Sequence, residues 1–259
     1  MSESRIMVPE SLKGFLEIEN CDDFPINRYY VSENQKNIIA DVLRMQEITE
    51  ELKNMGIPYL NTTLFYGPPG TGKTTFGRYI AYYTKQDFAY ISFSKLFTGK
   101  FGEASRKISE IFRFIAAEKC VFMLDEIDCV GVKRGTEGSA SGGELSNITI
   151  TLMQELDYYR RHKVNSIIIG ATNRVDILDE ALVNRFSIKK ELGPLNNLEK
   201  EEYIRMFLND IHVEFDEKNI RTYCARTSTV RQREVEADII RCVAEYIQNG
   251  KTSFTLTHI

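Results

Sequence analysis

The sequence predicts an α/β fold, three αβα layers about a parallel sheet, followed by a small all-helical domain. Three observations predict it. Apolar, β-branched or aromatic runs recur at Asn61–Tyr66, Ala89–Phe93, Val121–Leu124 and Ser166–Thr172, separated by stretches with helical spacing. The four consecutive apolar residues Val121–Leu124 suit a strand buried on both faces, as in a parallel sheet. The first run leads through a glycine-rich loop, Gly67-Pro68-Pro69-Gly70-Thr71-Gly72-Lys73-Thr74, into helix-like spacing from Thr75 to Tyr83. After Gly193-Pro194-Leu195 the composition turns helical to near Gly250. These features divide the chain into a lead-in at 1–31, a large α/β domain at 32–194 and a helical domain at 195–259.

Residues 1–31 show little periodicity. Ile6-Met7-Val8-Pro9 and Phe24-Pro25-Ile26 read as short extended pieces, because proline bars a helix interior. Ser32 is an N-cap candidate for a long amphipathic helix over Glu33–Met55, where Ile38, Ile39, Val42, Met45, Ile48 and Leu52 recur at helical spacing. Gly56-Ile57-Pro58 ends it. The strand and loop at 61–74 follow, then the strand Ala89–Phe93 and a helix over Ser105–Ala117. The strand at Val121 ends on Asp125-Glu126. Gly131–Gly143 is rich in Gly and Ser and is expected to be a mobile loop. The strand from Ser166 ends on the polar tip Asn173, and a short helix within Asp179–Asn184 precedes Arg185. A last helical run covers Glu234–Gln248.

The loop at 67–74 fills the spacing G-x-x-x-x-G-K-[ST] completely, and it sits between strand and helix as that motif requires. Gly67, Gly70 and Gly72 let backbone N–H groups turn inward around phosphates, with Pro68, Pro69 and Thr71 completing the loop. The helix N-terminus at Thr75 adds a favourable dipole. Lys73 would reach the β- and γ-phosphates, and the Thr74 hydroxyl would ligate Mg²⁺. A glycine turn that merely links strand to helix is the plainer alternative, and the full spacing in context outweighs it. Asp125 and Glu126 fall at the carboxyl end of a parallel strand, where ligands of such sheets sit. Asp125 would hold Mg²⁺ through its water shell, and Glu126 would orient the attacking water. Asn173 is placed to reach the γ-phosphate or that water. Arg185 is a candidate for a guanidinium on the γ-phosphate, since phosphoryl transfer is catalysed mostly by positioning and electrostatics.

On these residues the chain resembles the AAA family of ATPases, over roughly residues 30–250. Gly67–Thr74 matches its Walker A motif, Asp125-Glu126 its Walker B, Ala171-Thr172-Asn173-Arg174 its sensor 1, and Met153-Gln154-Glu155-Leu156-Asp157 its L-x-E-L-D segment. The resemblance implies a P-loop NTPase core with a helical lid, Mg²⁺-dependent ATP hydrolysis, and a homo-oligomeric, six-membered ring. It implies that Arg185 acts on ATP held by a neighbouring subunit, although Ala181-Leu182-Val183-Asn184-Arg185-Phe186 is two residues shorter than the family's stretch and holds one arginine where the family has two. Lys100-Phe101-Gly102 stands where the family carries an aromatic-hydrophobic-Gly pore loop that grips polypeptide, with Lys100 replacing the leading aromatic. Gly131–Gly143 matches the second pore loop. Arg231 is the choice for the lid arginine called sensor 2. The implied substrate is a protein client threaded through the pore; the alternative is a DNA-associated loader or translocase. The short lead-in carries the expectation that an adaptor or co-encoded protein supplies specificity.

Composition sets bounds on these readings. A hydrophobic fraction of 42% gives a chain this long a sizeable core. A formal net charge of −4 disfavours nucleic acid as the main partner, because phosphate contacts call for a basic excess. No apolar run is long enough for a membrane span. Met1-Ser2-Glu3-Ser4-Arg5 has no apolar signal core, so a cytoplasmic location is expected. Cys21, Cys120, Cys129, Cys224 and Cys242 are scattered and odd in number, which argues against a disulfide framework or a metal cluster.

Overall fold

The computed structural model describes residues 6–96, 102–131, 140–162, 164–227 and 230–258. The chain separates into two compact units. The first comprises Met1–Phe24, Asn37–Gly67 and Lys73–Glu191; the second comprises Pro25–Lys36, Pro68–Gly72 and Leu192–Ile259.

The first unit is built on strands β1 (Leu16–Glu19), β2 (Thr62–Tyr66), β3 (Asp87–Ser92), β4 (Cys120–Asp125), β5 (Ile167–Thr172) and β6 (Ile188–Glu191). They form one sheet in the order β1-β3-β4-β5-β2-β6. Every pairing is parallel except β1 with β3. The central strands are buried along their length, as continuous apolar runs require: Val121 to Leu124 and Ile168 to Ile169 are fully enclosed. Helices α1 (Glu33–Asn54), α2 (Lys73–Thr84), α3 (Glu103–Ile115), α4 (Ala140–Arg161) and the single turn α5 (Glu180–Val183) connect them. Ile108, Ile111, Phe112 and Ile115 of α3 meet Ile148, Leu152, Leu156 and Tyr159 of α4 in the core. Gly77 has a steric purpose in α2: a Cβ there would stand 2.7 Å from Met123 Sδ and 3.2 Å from the Phe88 ring. Its absence lets α2 lie close on β3 and β4.

Two expectations need correction, and one strand went unread. Residues 1–31 are not a separate lead-in, because Leu16–Glu19 pairs antiparallel with β3 and Ile6, Leu12 and Leu16 enter the core. Only Leu16 is fully buried in that strand, so the period is too short to show in sequence. The strand β6 was not foreseen either; it carries Lys189 and Lys190 and alternates between half-buried and exposed, as an edge strand does. Helix α4 begins at Ala140, so the end of the expected loop at Gly131–Gly143 is helical. Once Leu152 and Leu156 anchor the helix, propagating through two glycines costs only about 1 kcal/mol each. Residues 132–139 of that segment lie outside the described residues.

The second unit has helices α6 (Asn197–Asp210), α7 (Glu217–Arg226) and α8 (Gln232–Gln248). Asn196 and Glu199 form a reciprocal capping box on α6, with bonds of 3.0 and 2.9 Å. Asp216 caps α7 by accepting from the Lys218 amide. Ile204, Leu208, Ile220, Cys224, Val235 and Ile239 form its core. The Pro25–Lys36 segment is held here by Arg28, which pairs with Asp210 at 2.5 Å and lies over the Phe207 ring. Ser32 caps α1 as expected, since Ser32 Oγ accepts from the Gln35 amide and Gln35 Oε1 from the Ser32 amide.

Candidate nucleotide site

Sheet register brings Gly67, Asp125, Glu126 and Asn173 of the first unit to one end. Tyr66, next to Gly67, pairs with Thr172, next to Asn173. Ser92 pairs with Asp125. Because the four strands β2, β3, β4 and β5 are parallel, Gly67, Ser92, Asp125, Glu126 and Asn173 gather at the carboxyl edge. The Lys73 ammonium donates to the Gly67 carbonyl at 2.8 Å and is mostly buried. The Thr74 hydroxyl donates to Asp125 Oδ2 at 2.7 Å. Thr75 occupies the first turn of α2 beside them.

Burial raises the Asp125 carboxyl above its ordinary value, against the Thr74 hydroxyl and Glu126 amide bonds that favour the anion. Burial, and then the Asp125 charge, push the Tyr90 phenol up to about 12. A cation beside Asp125 would relieve this electrostatic cost. The donors available are a hydroxyl and a carboxylate, both hard oxygens. Among the described residues no group of three His, Cys, Asp or Glu is placed to hold a metal. The Thr74 hydroxyl and the Asp125 carboxylate are hard oxygen donors that fit Mg²⁺, which keeps several waters and takes few protein ligands.

Glu126 is a non-glycine residue in the left-handed region, φ 56 and ψ 40. Such a backbone costs of order 1–3 kcal/mol and persists where the surroundings fix it. Here the Glu126 amide donates to Asp125 Oδ1 at 2.9 Å. The side chain accepts from Ser92 Oγ at 2.9 Å through Oε2. Sequence reading missed Ser92, although a polar residue closing an apolar strand beside the acidic pair was a usable signal. Asp128 was also missed: its carboxylate accepts from the Asn173 amide at 3.2 Å and ties the end of β5 to the turn after Glu126.

Arg185 stands apart from this group. Thr62, the first residue of β2, donates its hydroxyl to the Arg185 carbonyl and accepts from the Ser187 amide, both at 2.9 Å. Arg185 therefore sits at the amino end of β2, and Gly67 follows the other end, about 13 Å away along the strand. Its guanidinium donates to Asp157 Oδ2 at 3.1 Å and to the Ala181 carbonyl at 2.7 Å. An action of Arg185 on phosphate bound by its own chain does not follow from this placement.

In the second unit the loop residues Pro68–Gly72 meet the start of α8. Gly70 and Gly72 have φ of 78 and 81, which an L side chain rarely adopts. The Arg233 amide donates to the Gly70 carbonyl at 3.3 Å. A Cβ on Gly70 would stand 3.6 Å from both Cβ and Cδ of Arg231. The Arg231 amide is itself capped by Glu234 Oε2 at 2.9 Å. The Thr71 hydroxyl closes the loop on the Pro68 carbonyl. Of the expected pore loop, Lys100 and Phe101 lie outside the described residues; Gly102, φ 79, precedes α3.

Residues 63–194, just over half of the chain, match the model of the ATPase family associated with various cellular activities (AAA). The chain is 33% identical over 202 residues to a 26S proteasome regulatory subunit 8 homolog of Encephalitozoon cuniculi, covering 76% of this chain and 51% of the relative. It is 34% identical over 203 residues to the Schizosaccharomyces pombe homolog, covering 76% and 50%. It is 31% identical over 242 residues to the peroxisomal ATPase PEX6 of Candida glabrata, covering 86% of this chain and 24% of that protein. The chain thus spans about half the length of the proteasome relatives and about a quarter of PEX6.

Proposed function

We propose, from the premise that this chain belongs to the AAA family of ATPases, that it hydrolyses Mg²⁺-bound ATP and works as a subunit of a six-membered homo-oligomeric ring that remodels protein clients. One observation carries the hydrolytic part: Thr74 and Asp125 are joined at 2.7 Å, with Glu126 next in the chain and turned towards Ser92. Mg²⁺ would supply charge neutralisation on the triphosphate. The backbone N–H groups of the loop and the Lys73 ammonium hold phosphate charge; Thr74 and Asp125 hold the ion. Glu126 orients and deprotonates the attacking water, and Asn173 steadies that water or the γ-phosphate. Each residue acts by position and charge, as phosphoryl transfer requires.

The ring is supported by the place of Arg185. A guanidinium at the amino end of β2 suits phosphate bound by a neighbouring copy better than phosphate on its own loop. A protein client is supported by relatives named as regulatory subunits of the 26S proteasome. Turnover per subunit measured against protein concentration, with mass photometry alongside, tests the reading. The rate should climb as six-fold particles appear and rise further with an unfolded polypeptide. A flat rate from monomers overturns the ring, and stimulation by DNA but not polypeptide overturns the client.

A further inference from the structure

The amino ends of β2, β4 and β5 lie opposite the carboxyl edge that holds Gly67, Asp125 and Asn173. Thr62 pairs with Ile168 and Val121 with Ile167, so Asn61, Lys119 and Ser166, each just before its strand, come together there. Helix α1 lays Gln46, Thr49, Glu50 and Lys53 over them; residues three, four and seven apart share one helix face. These side chains line a cleft of about 200 Å³. All of it belongs to the first unit. The length of a strand, about 20 Å, separates Asn61 from Gly67 and Lys119 from Asp125.

The inner wall is held by hydrogen bonds. Ser166 Oγ donates to the Glu118 carbonyl at 3.0 Å and ties β5 to β4. Asn61 Nδ2 donates to the Val42 carbonyl at 3.0 Å, which orients the amide, because a carbonyl accepts only from its nitrogen. Asn61 is 3% exposed, and its Oδ1 is buried with no partner among the described residues. A buried acceptor of this kind calls for a donor. Lys53, 5% exposed, brings a positive charge to the same wall and donates to the Val164 carbonyl at 3.0 Å and to Asn165 Oδ1 at 2.7 Å. Glu50 and Lys119, both exposed, complete the lining with one charge of each sign.

We propose that this cleft is a binding site for a small free amino acid in its zwitterionic form. Its ammonium answers Asn61 Oδ1 and Glu50; its carboxylate answers Lys119 and the charge of Lys53. Size sets the class. The cleft has room for roughly six waters and falls short of the ~300–1,000 Å³ typical of pockets for larger ligands, so a second nucleotide does not fit. Water can satisfy Asn61 Oδ1, but a zwitterion meets that acceptor and both signs of charge at once.

The test is a titration of the full chain with L-alanine, followed by calorimetry and by amide chemical shifts. Two further probes each remove half of the ligand: propionate lacks the ammonium and ethylamine lacks the carboxylate. L-Alanine should saturate and shift the amides of Glu50, Lys53, Asn61 and Asn165, and both half-ligands should bind at least threefold more weakly. Lys119→Ala, an exposed change, should weaken L-alanine about 1.5- to 5-fold. Gln46→Trp, which fills the cleft from α1, should abolish saturation without lowering the unfolding midpoint. Unchanged affinity in both variants overturns the site. Propionate binding as tightly as L-alanine overturns the zwitterion. Shifts confined to Lys73, Thr74 and Thr75 would put the carboxylate at the phosphate loop instead and overturn the proposal. Equal, unsaturated responses to all three probes, the behaviour of a cleft that holds water only, overturn it as well.

Discussion

Glu126 carries two observable constraints, a left-handed backbone and a hydrogen bond from Ser92 at 2.9 Å. Glu126→Gln keeps the shape and can still accept from Ser92, but it cannot take a proton from water. Turnover should fall about 100-fold or more, as for loss of a general base, with ATP affinity within roughly threefold of wild type because binding rests elsewhere. Near-normal turnover would remove Glu126 from that role. Ser92→Ala tests the restraint itself. The bond occupies Oε2, which a water would otherwise meet, and a net hydrogen bond of about 0.5–1.5 kcal/mol corresponds to a ~2- to 10-fold effect. Unstimulated turnover should therefore rise within that range, and an unchanged or lower rate would show that Ser92 does not hold Glu126 back. Glu126 was legible from its neighbour Asp125 and the apolar run before them. Ser92 was not singled out, because its pairing with Asp125 exists only in the parallel register of β3 and β4.

Helix α2 carries the phosphate-loop lysine and threonine, and Gly77 sets its distance from β4. Gly77→Val would drive branched methyls towards Met123 Sδ and the Phe88 ring, already 2.7 and 3.2 Å from a single Cβ. Overpacking of this kind typically costs about 1–3 kcal/mol, and it should also loosen the Thr74–Asp125 contact and weaken ATP binding. Unfolding curves and nucleotide titration on one sample would check both; stability lost with affinity intact would separate helix placement from the site. Lys200 of α6, buried with its ammonium on the Thr227 carbonyl, gives a pH test in the second unit, because burial lowers its pKa. Below its lowered pKa both folded and unfolded chains carry the proton, and the burial cost is present in full. As pH rises from that pKa towards the ordinary 10.5, the folded chain releases the proton first, the unfolded chain binds more, and stability recovers. The melting temperature of wild type relative to Lys200→Met should rise across that window; a constant difference would place the cost elsewhere. The helices and buried strands were legible because their periods run long enough to register. The edges β1 and β6 were not, since a four-residue strand with one covered face carries almost no pattern.

At the scale of the whole molecule, the sequence carried the motifs and their order, but not where the sheet would put each one. Gly67, Asp125, Glu126 and Asn173 end neighbouring parallel strands, so their convergence follows from the fold class. Arg185 follows a helical turn and precedes an edge strand whose register could not be read. The structure sets it at the start of β2, bonded to Asp157, about one strand length from Gly67. If it completes a neighbour's site, two defects on different chains must complement each other. Arg185→Ala leaves its own loop intact but fails its neighbour; Lys73→Ala cannot hold nucleotide but still offers Arg185. Each alone should turn over ATP at least 10-fold more slowly than wild type. An equimolar mixture should regain a measurable part of the rate, wherever a Lys73→Ala chain presents Arg185 to an intact loop. The regained rate should depend on mixing ratio and vanish on dilution below the concentration at which rings form. Additive, unrescued rates across all ratios would confine Arg185 to its bond with Asp157, and its loss would then act through the tie it makes between α4 and the turn after α5 rather than through catalysis.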